Sequence, residues 1–112
     1  MPGSVPLYEA KAELFRTLGH PTRIRVLELL QGGPMQVRDL LAELDLEASN
    51  LSQQLAVLRR AGLVTSTREG STVLYALSTP HLAALLADGR HILAAKLHTS
   101  EELLAELRSG AG

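Results

Sequence analysis

Apolar residues recur along this chain first at helical spacing, then at strand spacing, then at helical spacing again, and each change of period marks an element boundary. Leu7, Ala10, Leu14, Phe15 and Leu18 fall on one side of a helix over 7–18, which Gly19-His20-Pro21 breaks. Pro21 suits the first turn of the next helix, and His20 before it reads as a junction residue rather than a ligand. That helix is apolar at Ile24, Val26, Leu27 and Leu30, as expected of a central core helix, and Gly32-Gly33-Pro34 ends it. Val37, Leu40, Leu41 and Leu44 then mark one face of a short amphipathic helix, which Asp45-Leu46-Glu47 interrupts. A further helix follows with Leu51, Leu55 and Leu58 inward, closing at Ala61-Gly62, where glycine suits a C-cap. Two helices joined by about three residues have the spacing of a helix-turn-helix.

After Gly62 the segments 63–67 and 72–77 are β-prone, and Arg68-Glu69-Gly70-Ser71 between them is a turn signal. A hairpin directly after such a helix pair is a wing. Beyond it, Leu82, Leu85, Leu86, Ile92, Leu93 and Leu97 define a long helical segment from Pro80 to His98, followed by a shorter one from Glu101 to Leu107. The expected fold is mainly α with a β-hairpin wing: a winged helix-turn-helix, with the helix pair over 36–61 and the wing over 63–77.

The length of 112 residues predicts one domain, 1–112, structured from Leu7 to Leu107, with a thin core. Aromatics are 3% of the chain, so the core must come from Leu, Val, Ile and Ala. Because the apolar surface exceeds what so small a domain needs, the helices over 7–18 and 80–98 are expected to pack across a two-fold axis as a homodimer. Gly89, inside the second of these, costs roughly 1 kcal/mol relative to alanine in a helix. Close approach of another backbone explains it, and so does a kink or break at Asp88-Gly89.

Chemistry concentrates on the helix after the turn. Its outward positions are Ser49, Asn50, Ser52, Gln53 and Gln54, and its last turn carries Arg59 and Arg60. Neutral amides and hydroxyls of this kind read base edges in a major groove, and arginines grip phosphates. On the wing, Arg68 can reach a neighbouring phosphate or the minor groove, with Ser71 and Thr72 as polar supporters, whereas Glu69 repels DNA. The alternative is that Ser49 and Asn50 only start a helix and that Gln53 and Gln54 only face solvent.

A net charge of -1 argues against a basic coat, but its distribution changes the picture. No Asp or Glu occurs from Ala48 through Arg68, where Arg59, Arg60 and Arg68 fall, while Glu101, Glu102 and Glu106 lie far along the chain. Few phosphate contacts per subunit and modest non-specific affinity follow. The absence of cysteine excludes disulfides and thiol-based sensing. No glycine-rich phosphate loop, nucleophile elbow or paired carboxylates point to an enzyme, and no cofactor is expected. Met1 to Pro6 lacks the features of a signal peptide and no window reaches transmembrane length, so a cytoplasmic protein without membrane contact is expected.

In sequence, Leu14-Phe15-Arg16-Thr17-Leu18-Gly19-His20-Pro21-Thr22-Arg23-Ile24-Arg25-Val26-Leu27 and Ser52-Gln53-Gln54-Leu55-Ala56-Val57-Leu58-Arg59-Arg60-Ala61-Gly62-Leu63-Val64 resemble the ArsR/SmtB family of small dimeric winged-helix repressors, over Leu14 to about Leu93. The resemblance implies repression by a homodimer on a roughly palindromic operator, an inducing ligand or metal, and a reading role for Ser49, Asn50, Ser52, Gln53 and Gln54. It also exposes departures. Val37-Arg38-Asp39-Leu40-Leu41 stands where family metal and arsenic sensors carry a cysteine motif. The family's other metal site, on the helix after the wing, maps onto Thr79, His81, Ile92 and Ala95, of which His81 alone is a ligand type, His91 being one residue out of step. Two other readings remain beside a DNA-binding repressor without a cysteine site: a non-standard metal site built from His81, His91 and His98, and a winged-helix interaction module that no longer reads DNA.

Overall fold

Glycine and proline set much of the punctuation of the fold, and the computed structural model of the protein, which describes residues 4–96 and 101–110, places most helix ends beside them, though not those on either side of 44–47. Leu97, His98 and the side chains of Glu101 and Glu102, invoked above, lie outside the described residues. The elements are α1 (Leu7–Leu18), α2 (Pro21–Leu30), α3 (Val37–Glu43), α4 (Ala48–Arg60), β1 (Val64–Glu69), β2 (Thr72–Leu77), α5 (His81–Lys96) and α6 (Glu101–Ser109). They form two compact units, α1 through β2 and α5 with α6.

In the first unit Pro21 occupies the opening turn of α2, where its missing N–H costs nothing, and extended His20 takes the N-cap without a side-chain bond. Val26, Leu27 and Leu30 of α2 are buried with Leu18, Leu40, Leu51, Leu55, Leu58, Leu63 and Val64. Each such side chain contributes about 1.5–3 kcal/mol of transfer free energy. The apolar pattern thus located the core, although Ile24, Val37, Leu41 and Leu44 are only half-buried. The link between α3 and α4 spans 44–47, one residue longer than the sequence pattern implies, since α3 ends at Glu43 and Leu44 is already extended.

The end of α4 is fixed by backbone bonding. Gly62 N–H donates to the Arg59 carbonyl at 3.0 Å and Leu63 N–H to the Leu58 carbonyl at 2.9 Å, the paired arrangement of a Schellman cap. It requires the left-handed conformation that Gly62 adopts at φ 78. The chain is thereby turned directly into β1.

The hairpin pairs Val64 with Leu77 through Glu69 with Thr72. Strand β1 therefore runs two residues past the predicted end and includes Arg68 and Glu69, so the turn is Gly70-Ser71 alone. Gly70 has φ 65 and Ser71 is not in the positive region, which fits a tight turn with glycine first. Met35, in the loop before α3, adds a bridge on the other edge of β2, donating to the Tyr75 carbonyl at 2.9 Å and accepting from the Tyr75 N–H at 2.8 Å.

In the second unit α5 continues through Gly89 without a break, and a Cβ there would meet nothing within 4 Å. Arg90 Nη2 donates to the Leu107 carbonyl at 2.6 Å, joining α5 to α6. Leu82 is buried, but Ile92 and Leu93 are 61% and 49% exposed, and in α1 Leu7 and Phe15 are 69% and 56% exposed. These helices carry apolar side chains that one copy of the chain does not cover. No helix among the described residues is long and apolar enough to cross a membrane.

Candidate nucleic-acid interface

Burying Leu51, Leu55 and Leu58 turns the opposite side of α4 outward, and Ser49, Asn50, Ser52, Gln53, Arg59 and Arg60 are all exposed on it. The helix N-cap is Glu47, with no side-chain bond, so Ser49 and Asn50 sit inside the first turn rather than capping it. Ser49, Gln53 and Arg60 run down the middle of the exposed stripe, opposite the buried leucines, with Ser52 and Arg59 along one edge and Asn50 along the other. The helix itself carries no carboxylate.

Gln54 differs from a free surface amide. It is half-buried, its Oε1 accepts from Arg23 Nε at 2.8 Å, and its Nε2 donates to Asn50 Oδ1 at 3.1 Å. Arg23, on α2, also donates through Nη1 to the Thr17 carbonyl at 3.1 Å. A shallow cleft lined by Arg23, Gln53, Gln54, Ala56, Val57 and Arg60 follows this side of α4. Sequence reasoning missed Arg23, for it lies 31 residues from Gln54 and in the helix assigned to the core. Arg23 shares α2 with Arg25 and Glu28, so nothing in the local sequence singled it out.

Arg59 reaches the wing, where Nη1 donates to Ser66 Oγ at 3.2 Å. Residues two apart on a strand share a face, so Arg68 lies on the side of β1 that carries Val64 and Ser66, toward α4, and Glu69 on the other. The repulsive carboxylate is thus turned away from Arg68. Ser71 is exposed in the turn and Thr72, half-buried, faces Glu69 across the hairpin. Arg60 and Arg68 have no hydrogen bond or ion pair among the described residues, which leaves both cations free for an external anion.

On α5, His81 and His91 are both exposed, and ten residues of helix separate them by about 15 Å. Within one chain they cannot share an ion. Thr79, His81, Ile92 and Ala95 offer one imidazole between them, so these positions do not fit zinc. Among the described residues no group of three or more His, Cys, Asp or Glu is placed to hold a metal, and His98 lies outside them.

Residues 20–66 match the family described as "Bacterial regulatory protein, arsR family". Over 108 residues the chain is 50% identical to the uncharacterized HTH-type transcriptional regulator Rv0081 of Mycobacterium tuberculosis, covering 96% of this chain and 95% of the relative. The crystal structure of that protein superposes with a TM-score of 0.78 at 52% identity, covering 86% of this chain and 97% of the other. The homodimeric winged helix-turn-helix DNA-binding domain Mb0332 of Mycobacterium bovis, solved by NMR, gives a TM-score of 0.72 at 25% identity over 90% and 95% of the two chains. The transcriptional repressor BigR of Xylella fastidiosa gives 0.67 at 31% identity over 79% and 86%.

Proposed function

We propose, given that this chain belongs to the arsR family of bacterial regulatory proteins, that it is a homodimeric cytoplasmic repressor whose α4 helices read a short palindromic operator in double-stranded DNA. It is a winged helix-turn-helix transcriptional regulator, and what is proposed is the sign of its action, the symmetry of its site and the residues that make contact. The observation that carries the reading is the exposed, carboxylate-free face of α4 with unpaired Arg60 at one end and Arg59 tied to the wing that carries Arg68. Ser49, Asn50, Ser52 and Gln53 meet base edges, Arg59, Arg60 and Arg68 meet phosphates, and Ser71 and Thr72 support the wing tip.

Two supports bear on the dimer. The apolar side chains of α1 and α5 exposed in a single chain need a cover, and the similar Mb0332 is homodimeric. The similar BigR, named a repressor, supports the sign. With no cysteine in the chain and no fitted histidine site, DNA binding requires no metal in this reading, and release follows from another signal.

Fluorescence anisotropy of the chelator-treated protein on its own upstream DNA, against scrambled competitor at fixed salt, tests the proposal. Specific binding with two copies per site is expected. Binding that appears only after a metal is added would overturn the metal-free reading, and equal affinity for scrambled DNA would overturn operator recognition.

A further inference from the structure

The chain of bonds from Thr17 to Asn50 has a direction, and it ends at the surface assigned to DNA. A guanidinium carries five N–H donors and no acceptor, so the side of the Gln54 carboxamide facing Arg23 must be its oxygen. Its nitrogen then faces Asn50, and a nitrogen that only donates fixes Asn50 Oδ1 toward itself. The group of the exposed Asn50 amide left wholly unpaired is Nδ2 with its N–H groups. The Thr17 carbonyl holds the guanidinium at the other end, so the sequence of donors cannot reverse.

We propose that Arg23 and Gln54 are positioning residues for base recognition, locking Asn50 of α4 as a hydrogen-bond donor and so selecting guanine beneath it. Resting on the assignment of α4 to the major groove, the inference goes beyond it in naming which edge one side chain reads. A free asparagine pairs with adenine through both amide atoms, accepting from N6 and donating to N7. Asn50 Oδ1 keeps a second lone pair, but the bond from Gln54 turns it along the helix and away from the paired geometry that adenine N6 and N7 require. Guanine presents two adjacent acceptors, O6 and N7, and no competing donor on that edge. The same bonds turn the Gln54 oxygen inward and occupy one of its two N–H groups, leaving Gln54 a single donor for direct reading.

The test is site selection from a randomised operator library, reading base preference position by position for the full-length wild-type protein and three variants. Asn50→Ala identifies the position that Asn50 reads, as the one whose preference collapses. Gln54→Glu keeps the partner of Arg23 but offers Asn50 only acceptors, so Asn50 must rotate, donate inward and present Oδ1. The preference there should switch from guanine to a base with an exocyclic donor, adenine or cytosine, by about 5- to 100-fold in relative affinity. Arg23→Met releases Gln54 and should relax the guanine preference toward adenine, with Arg23→Lys, which still donates, restoring it in part. Added negative charge lowers overall affinity in the Gln54→Glu variant, which is why the ratio between bases is the readout. Unchanged preference in Gln54→Glu overturns the relay, whatever Arg23→Met does to folding. Failure of the wild-type protein to select any site would instead overturn the assignment of α4 on which the relay rests.

Discussion

Replacing Arg68 with alanine isolates the phosphate contact proposed for it, because the side chain is exposed and pairs with nothing among the described residues, so the fold loses nothing with it. A surface change of this kind moves stability by no more than about 0.5 kcal/mol. On DNA each neutralised phosphate adds about 0.9 to the salt exponent of binding. A dimer presents the residue twice, so the slope of log K against log salt should fall by about 1.8. At 0.15 M salt that corresponds to a loss of about 30-fold in affinity, about 2 kcal/mol, equal for operator and random sequence. Between 50 and 200 mM the variant should lose about 12-fold less affinity than the wild type does. Anisotropy titrations at four salt concentrations measure the slope, and Arg68→Lys should retain it. A slope unchanged in the alanine variant would remove Arg68 from the footprint, and loss confined to the operator would make it a base reader instead.

Two further substitutions test the frame that holds these contacts. Gly62→Ala puts a side chain where φ is 78 but meets no neighbouring atom, so its cost is conformational alone, about 1 kcal/mol by urea denaturation; a neutral result would show that the cap relaxes. Gly89→Ala should raise helix stability by about 0.5–1 kcal/mol if α5 stands alone, but should weaken the dimer in sedimentation equilibrium if a second backbone packs against that position, as proposed.

Legibility in the sequence followed the range of the interaction. The burial of Leu51, Leu55 and Leu58 and the cap at Gly62 are local consequences of helical spacing and of one residue's freedom to adopt positive φ, and both were readable. The stripe on α1 was readable as amphipathic, but Leu7 and Phe15 are exposed while Leu18 is buried, a distinction that depends on which surface lies opposite. The extension of β1 through Arg68 and Glu69 was missed, since charged residues beside Gly70 look like turn and their strand state comes from pairing with Val73 and Thr72. Of the interface, the exposed face of α4 was predictable from its period. The engagement of Gln54 by Arg23 was not, because nothing in the local pattern of either helix records a bond between them.

The wing is held on both sides at a single rung. Ser66 and Tyr75 are register partners; Met35 bonds to Tyr75 from one edge, and Arg59 reaches Ser66 from α4. Inward of that rung the hairpin belongs mechanically to the helices, and outward of it, from Thr67 to Leu74, it is a short cantilever. Rotational freedom surrendered on meeting a duplex is therefore confined to those few residues, and the groove that the tip can sweep is set by the lever arm between Ser66 and Arg68 rather than by the length of the hairpin.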